Sequence, residues 1–579
     1  MTYGAVKIDD NATAAIKTIT VNGYANGSTI GSGAATTALE TLNLSNAAGT
    51  ASMTVADTAD TLALTLSGMG TNVDGTEAVL TFTAAPLTLN VTSTGNNYVD
   101  LTAAATTALN VSGTGVLDIA DAALAALKTV TVTGTAGLTL NGGESATLTS
   151  VDTTGTTGAV TASIKGDTAT YAGGAGVDAV TVANAGTAIS KALDLGAGND
   201  VLTLVGATVE VPTVTLNGGD GTDTLSIDTA SAAALDGDTL FAAKLSSFER
   251  LFINNSAAST AVDVANLGFA NYVTVAGSAG TLTLDNLANN GTVNVVGNAS
   301  TGVTVNVKDA ATGVADVLNV GLSAAAGDLT VAEVETIALS VTAAASANLI
   351  ADKATTVTLS GWGNLTLDLD AGGSLAGNTV TLVDGSAGYF GALTMDAELD
   401  NLVVKGGSGA DNLLADANDV ALYGGDGNDT LTVDGGLRVN LHGGAGADKF
   451  VISVGASNAL DSYTVINGVD SGDVIQFGDA VKFISTKIAL SVGADETLLN
   501  YANQAAKQLG ENEMGWFQRG GNTFIVLDQT AGAANAGGAA DSFDNGVDQI
   551  IMITGLVDLG TGASYNYTLA PATNILEIV

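Results

Sequence analysis

Short runs in which an aliphatic residue alternates with a small polar one recur from the start of the chain. They are TLNLS from Thr41, TLALTLS from Thr61, LTLNVTS from Leu87, ALNVSG from Ala108, TVTVTG from Thr129 and LTLNG from Leu138. A period of two places Leu, Val and Ile on one face and Thr, Ser and Asn on the other, so each run predicts a strand of about five residues. The runs start roughly 10 to 25 residues apart, with Gly, Asn and Ala between them, which leaves little room for covering helices. Repetition near 20 residues predicts an all-β chain built as a parallel β-solenoid or β-helix, each coil burying its apolar face against the next. LETLNL from Leu39, FERLFI from Phe248 and VETIAL from Val334 share an apolar residue, a glutamate, a polar residue and then alternation, and read as equivalent coil starts. Helix is expected only within Ala233–Arg250 and Ala494–Asn512, the second closing on the stop signal LGEN.

Composition agrees with this and narrows the chemistry. The 579 residues are 46% hydrophobic, ample for a core, while 74 glycines, 3 prolines and 4% aromatics suit short strands joined by glycine turns. Sixteen basic residues against 58 acidic ones give a formal charge of −42, so no basic stripe is available for nucleic acid. Such an excess serves solubility, or it is neutralised by bound cations. There is no cysteine, as expected of a cytosolic chain or of an exported one stabilised otherwise, for instance by metal. The opening MTYGAVKIDDNATAAIK lacks the pattern of a secretory signal, and no window is apolar enough to predict a transmembrane segment. The single histidine, His442, precludes an HExxH zinc site and reads as a solvated turn residue, and no GxSxG elbow is present. These features point away from an enzyme, although carboxylate-pair catalysis stays open.

The chemistry concentrates in one six-residue pattern, Gly-Gly-x-Gly-x-Asp. It ends at Asp178, Asp223, Asp411, Asp429 and Asp448, and at Asp200 with Leu195 replacing the first glycine. Chance gives on the order of a tenth of one match at this glycine content. Glycines let a turn aim backbone carbonyls inward and the aspartate adds an anionic oxygen, a set of hard ligands that selects calcium. An aliphatic follows five of the aspartates after one spacer, namely Val180, Leu202, Leu225, Leu413 and Leu431, and Phe450 follows the last. A nine-residue unit therefore makes one turn and one short strand, and two units make a coil. Asp411, Asp429 and Asp448 are 18 and 19 residues apart, and Asp178, Asp200 and Asp223 are 22 and 23 apart, so equivalent turns should stack. The units between them, ADANDVALY from Ala415 and VDGGLRVNLH from Val433, have lost the pattern. Further aspartates in VDGTEA from Val73, DIADAA from Asp118 and DSGD from Asp470 read as extra ligands or as solvated turns.

These residues resemble the RTX family, whose nonapeptide GGxGxDxUx forms a calcium-bound parallel β-roll. The resemblance implies calcium ligands at Gly173, Ala175 and Asp178; at Gly196, Gly198 and Asp200; and at Gly218, Asp220 and Asp223. It implies the same at Gly406, Ser408 and Asp411; at Gly424, Asp426 and Asp429; and at Gly443, Ala445 and Asp448. DSYTVINGVDSGDVIQF after the last repeat and the closing NILEIV resemble the ends of type I secreted proteins, which implies the type I secretion machinery as a partner. The whole-chain texture resembles bacterial surface-layer (S-layer) proteins of the Caulobacter type. That implies a secreted, cell-surface protein whose chief partner is itself, in a calcium-dependent two-dimensional lattice. Members of that family bind lipopolysaccharide through a helical N-terminal region not evident here. The alternative is a secreted calcium-binding RTX adhesin. The expected organisation is coils over 1–165, a calcium segment over 166–230, coils over 231–400, a β-roll over 401–456 and a C-terminal β-rich cap with the export signal over 457–579.

Overall fold

The computed structural model describes residues 4–578 apart from 9–15, 32–38, 48, 57, 74, 120–121, 141–145, 184–185, 207–208, 255–258, 278, 300, 314, 370–376, 454, 479–481, 492, 494–495, 530–541, 561–562 and 570–571. Of the aspartates in the three minor motifs, Asp74 and Asp121 lie outside the described residues. The strands expected from the alternation form: Thr41–Ser45, Thr61–Ser67, Thr88–Thr94, Ala108–Gly113, Thr129–Gly134 and Leu138–Leu140. Their aliphatic positions are buried, Leu42, Leu64, Leu89, Val91, Leu109 and Val132 each being at most 1% exposed.

The chain is a parallel β-solenoid in two compact units, Met1–Ser256 with Thr260–Thr274, and Ala257–Ser259 with Val275–Val579. In the first unit, eleven strands from Thr18–Asn22 to Leu245–Ser246 form one wholly parallel sheet. Register aligns like with like: Leu89 pairs with Leu109, Leu109 with Val130, and Val130 with Val151. On the outer face Asn110 Nδ2 donates to Asn90 Oδ1 at 2.8 Å. A second parallel face includes Leu138–Leu140, Val160–Ile164, Asp178–Ala183, Val201–Val205 and Thr224–Asp228. Each fully buried Val or Leu in such a column contributes about 1.5–3 kcal/mol.

The second unit repeats the plan. Parallel strands on one face include Leu365–Asp368, Leu393–Ala397, Asn412–Ala415, Thr430–Val433 and Lys449–Ile452. The other face includes Val317–Leu322, Thr336–Val341, Val403–Gly407, Ala421–Asp426 and Asn440–Ala445. In the C-terminal region antiparallel pairing takes over. There Glu513–Arg519, Asn522–Asp528 and Gln549–Ile553 pair antiparallel, and the last of them lies parallel on Thr464–Asn467. Ala572–Ile578 runs antiparallel along Val474–Phe477. Helix Leu498–Ala506, whose N-cap Thr497 accepts from Asn500 N, packs Ala502, Ala505 and Ala506 against Phe517, Phe524 and Val526. This mixed cap covers strand edges that would otherwise be free to pair with another chain.

The helix expected within Ala233–Arg250 begins earlier and is divided. Asp228 accepts from Ser231 N to start Thr229–Leu235, and after Gly237 the Asp238 carboxylate accepts from Leu240 N to start Thr239–Ala242. Two capping aspartates around a glycine favour two short helices over one long one. The other candidate forms only over Leu498–Ala506; its first residues, Ala494 and Asp495, lie outside the described residues. Among the described residues, no helix is long and apolar enough to cross a membrane.

Candidate metal centre

The six pattern aspartates lie just before or at the first residue of a strand, on the inside of a turn, and all are buried, at most 2% exposed. Parallel register then builds two ladders. In the first unit Val160 N donates to Asp178 Oδ1 at 3.2 Å, Asp178 N to Asp200 Oδ1 at 2.7 Å, and Asp200 N to Asp223 Oδ1 at 2.7 Å. In the second unit Leu393 N donates to Asp411 Oδ1 at 2.7 Å, Asp411 N to Asp429 Oδ1 at 2.8 Å, and Asp429 N to Asp448 Oδ1 at 3.0 Å. Each carboxylate thus ties its own coil to the preceding one through a charge-assisted hydrogen bond.

Each ladder ends on a carboxylate that the six-residue pattern does not mark. Asp223 N donates to Glu249 Oε2 at 2.7 Å, and Asp448 N to Asp473 Oδ1 at 2.9 Å. Glu249 belongs to FERLFI, one of the three glutamate-led runs. Glu335 of VETIAL does the same for Asp316, whose N–H it accepts at 2.8 Å. Glu40 of LETLNL does not: it is exposed and pairs with Lys17 at 2.6 Å. All three runs lead directly into a strand, Thr41–Ser45, Arg250–Asn254 and Thr336–Val341, but the glutamate's reach to the preceding coil is shared by only two of them. Asp473, in DSGD, also accepts from Asp470 N through Oδ2 at 2.8 Å, so both its oxygens serve the backbone.

Five of the six aspartates keep their second oxygen free. Oδ2 of Asp200, Asp223, Asp411, Asp429 and Asp448 is buried without any hydrogen-bond donor. A buried, unpaired carboxylate oxygen costs several kcal/mol unless a counter-charge meets it. Asp178 differs, since its Oδ2 accepts from the Tyr171 hydroxyl at 2.9 Å and from Thr153 Oγ1 at 3.5 Å.

The glycines divide their roles. In the turns ending at Asp200, Asp223, Asp429 and Asp448 the second and third glycines take up left-handed backbone, as at Gly425 (φ 117°) and Gly427 (φ 124°), or Gly444 (φ 116°) and Gly446 (φ 139°), whereas before Asp411 only Gly407 does and before Asp178 neither does; bulkier residues avoid that backbone. The first glycine has no such φ and answers to space. A Cβ on Gly406 would collide with Asp411 Oδ2 and stand 2.7 Å from the carbonyl oxygen of Gly424. A Cβ on Gly424 would collide with Asp429 Oδ2 and stand 2.7 Å from the carbonyl oxygen of Gly443. A carboxylate oxygen of one coil and a carbonyl oxygen of the next thus converge beside Gly218, Gly406 and Gly424. The variable positions Ala175, Asp220, Ser408, Asp426 and Ala445 lie on the outside of the turns and are all exposed, while Gly173, Gly196 and Gly198 are half-buried and Gly218 and Gly443 buried.

Electrostatics follow from burial. Desolvation pushes Asp200 and Asp411 up to about 7 and Asp178 and Asp429 up to about 6, and it raises Asp223 and Asp448 as well. Backbone donors pull the other way, and neighbouring carboxylates add to the rise. Among the described residues, no three His, Cys, Asp or Glu side chains converge on one point. A cation in these ladders would therefore be held by one or two carboxylate oxygens with backbone carbonyls, a donor set for a hard ion such as calcium. The residues present fit that ion.

No protein-family model matches the chain, and no curated protein is significantly similar to it.

The opposite edge of the second ladder's coils is held by other means. Arg438 forks onto Asp419 with both contacts at 2.6 Å, and Asn418 Oδ1 accepts from Leu437 N at 3.0 Å. There an arginine supplies the cation, at repeats whose sequence shows only a lost pattern. His442 is not a free turn residue: it lies in strand Asn440–Ala445, stacked on Tyr423 of the preceding coil with ring centroids 4.2 Å apart. Burial lowers its pKa, and Asn467 Nδ2 lies 3.2 Å from its Nε2.

Proposed function

We propose that the protein is a structural solenoid, exported by a type I route and stiffened by calcium, that assembles with copies of itself into a two-dimensional surface layer. The observation that carries the reading is the column of buried Oδ2 atoms without donors, repeated in both units, beside glycines that leave room for an ion.

Asp200, Asp223, Asp411, Asp429 and Asp448 would hold calcium, with carbonyls of the adjoining glycine turns. Bound calcium would supply the counter-charge that five buried carboxylates lack. Asp178 sits at the end of its ladder with both oxygens already engaged. With the dissociation constants of extracellular calcium modules, about 10⁻⁴ to 10⁻³ M, millimolar calcium adds about 0.4–1.4 kcal/mol per site. In low calcium the same aspartates repel one another and favour the open chain. That fits a protein that passes a transporter channel unfolded and folds outside. The −42 charge opposes close approach of copies until cations screen it.

The test is direct. Purified protein in millimolar calcium should form ordered sheets visible by negative-stain electron microscopy, and chelator should disperse them. A chain that stays monomeric across calcium and protein concentrations would overturn the lattice and leave a calcium-binding adhesin.

A further inference from the structure

Asp316 reproduces the environment of the ladder aspartates at a place where the six-residue pattern is absent. It is 6% exposed, and its Oδ2 is buried with no hydrogen-bond donor. Its N–H donates to Glu335 Oε2 of the next coil at 2.8 Å, as Asp223 N donates to Glu249 Oε2 at 2.7 Å. Register sets the pair side by side, since Val317 pairs with Thr336. Adjacent parallel strands lie about 5 Å apart, so the two acidic side chains are direct neighbours. Among the described residues neither is in an ion pair.

The glycine beside Asp316 points the same way. Gly313 has φ −70° and ψ 167°, ordinary extended backbone that any residue adopts. Yet a Cβ there would collide with Asp316 Oδ2. Gly424 stands in that relation to Asp429 from five residues before it, whereas Gly313 is only three residues before Asp316. The six-residue pattern therefore passes this turn by. On the preceding coil Asn289 Oδ1 accepts from Val317 N at 2.9 Å, so that backbone donor is already committed and does not reach the Asp316 carboxylate.

We propose that Asp316 and Glu335 form a further divalent-cation site of the calcium class, separate from both ladders. Asp316 supplies its free Oδ2, and Glu335 supplies a second negative charge while its Oε2 fixes the Asp316 backbone. Backbone oxygens of the surrounding turns complete the hard-donor set.

The experiment counts bound calcium on the full-length protein, stripped with chelator and then dialysed to equilibrium against millimolar calcium. Asp316→Asn should bind one ion fewer than the parent. Glu335→Gln keeps an oxygen for the Asp316 N–H and removes the charge, so it should bind the same ion at least tenfold more weakly. Far-UV circular dichroism checks that both variants are folded, and Glu335→Gln decides the matter if Asp316→Asn is not. Unchanged number and affinity in the folded variants would overturn the site. The triple variant Asp411→Asn, Asp429→Asn, Asp448→Asn separates this from the ladder reading. If the triple variant loses no ions while Asp316→Asn loses one, the ladder reading fails and this site stands. The reverse pattern rejects this site alone.

Discussion

In the second unit, one column of inward positions runs through Leu365, Leu393, Asp411, Asp429, Asp448 and Asp473 on successive coils. All six are buried, at most 2% exposed. The turns before them also match in outline: SGWGNL and GYFGAL lead to the leucines, and GGSGAD, GGDGND and GGAGAD lead to the aspartates. The backbone thus accepts either residue at one position, and the difference lies in what satisfies it. Leucine needs only its neighbours, and Tyr389 closes the turn above Leu393 by donating to the carbonyls of Gly363 and Ala392 at 2.9 and 3.0 Å. Asp411, Asp429 and Asp448 each give one oxygen to the coil before and leave the other without a donor, while Asp473 at the end of the column engages both. The leucine coils are complete as they stand, whereas on the proposed reading the aspartate coils depend on a bound cation. The first unit shows the same passage, from Leu138 and Val160 to Asp178, Asp200 and Asp223.

The comparison can be broken most severely by moving a carboxylate into the apolar coils. Leu393→Asp buries a charge under a turn whose second position is Tyr389, not glycine. In chelator it should cost about 3–5 kcal/mol by denaturant titration. A Leu393→Asp chain as stable as the parent would mean that the column tolerates carboxylates unaided.

Crowding the free oxygen comes next. Gly424→Ala puts a methyl group against Asp429 Oδ2 and the Gly443 carbonyl and should lose about 1–3 kcal/mol. Gly388→Ala, at the same position of the leucine coil, meets nothing within 4 Å and should change stability by less than about 0.5 kcal/mol. Equal effects at the two glycines would remove the distinction between the coils.

The mildest change is Asp429→Asn, which keeps Oδ1 for the Asp411 N–H. Its stability in chelator should equal or exceed the parent's, while its gain from millimolar calcium should shrink by about 0.4–1.4 kcal/mol for each site lost. An undiminished calcium gain in a denaturation series would show that Asp429 binds none.

Much of this edge was legible in the residues. Alternation gave the strands because a solenoid coil has one buried and one wet face, and the spacing of Asp411, Asp429 and Asp448 gave the register because those coils contain nothing but two turns and two strands. What escaped was contact between coils of unequal length. Glu249, Glu335 and Asp473 each reach back by 26, 19 or 25 residues to one backbone N–H, a relation without a period. Asp316 escaped because Gly313 meets its carboxylate from three residues away, so the space is the same and the spacing is not. The division of labour among the glycines was hidden too, since conformation and room for a carboxylate demand the same residue.

The most direct measurement is the pH dependence of stability with and without calcium. In chelator the buried aspartates, raised to about 6 for Asp178 and Asp429 and about 7 for Asp200 and Asp411, bind protons that the unfolded chain has already released. Their contribution is fully present below the unfolded carboxylate pKa and is lost as pH rises from about 4 through about 7. In millimolar calcium the ion competes with those protons, so its stabilisation should grow over the same interval. Denaturation midpoints that fall with pH in chelator and hold or rise in calcium are the expected result. Midpoints that fall equally with pH in both would contradict calcium binding by the buried carboxylates.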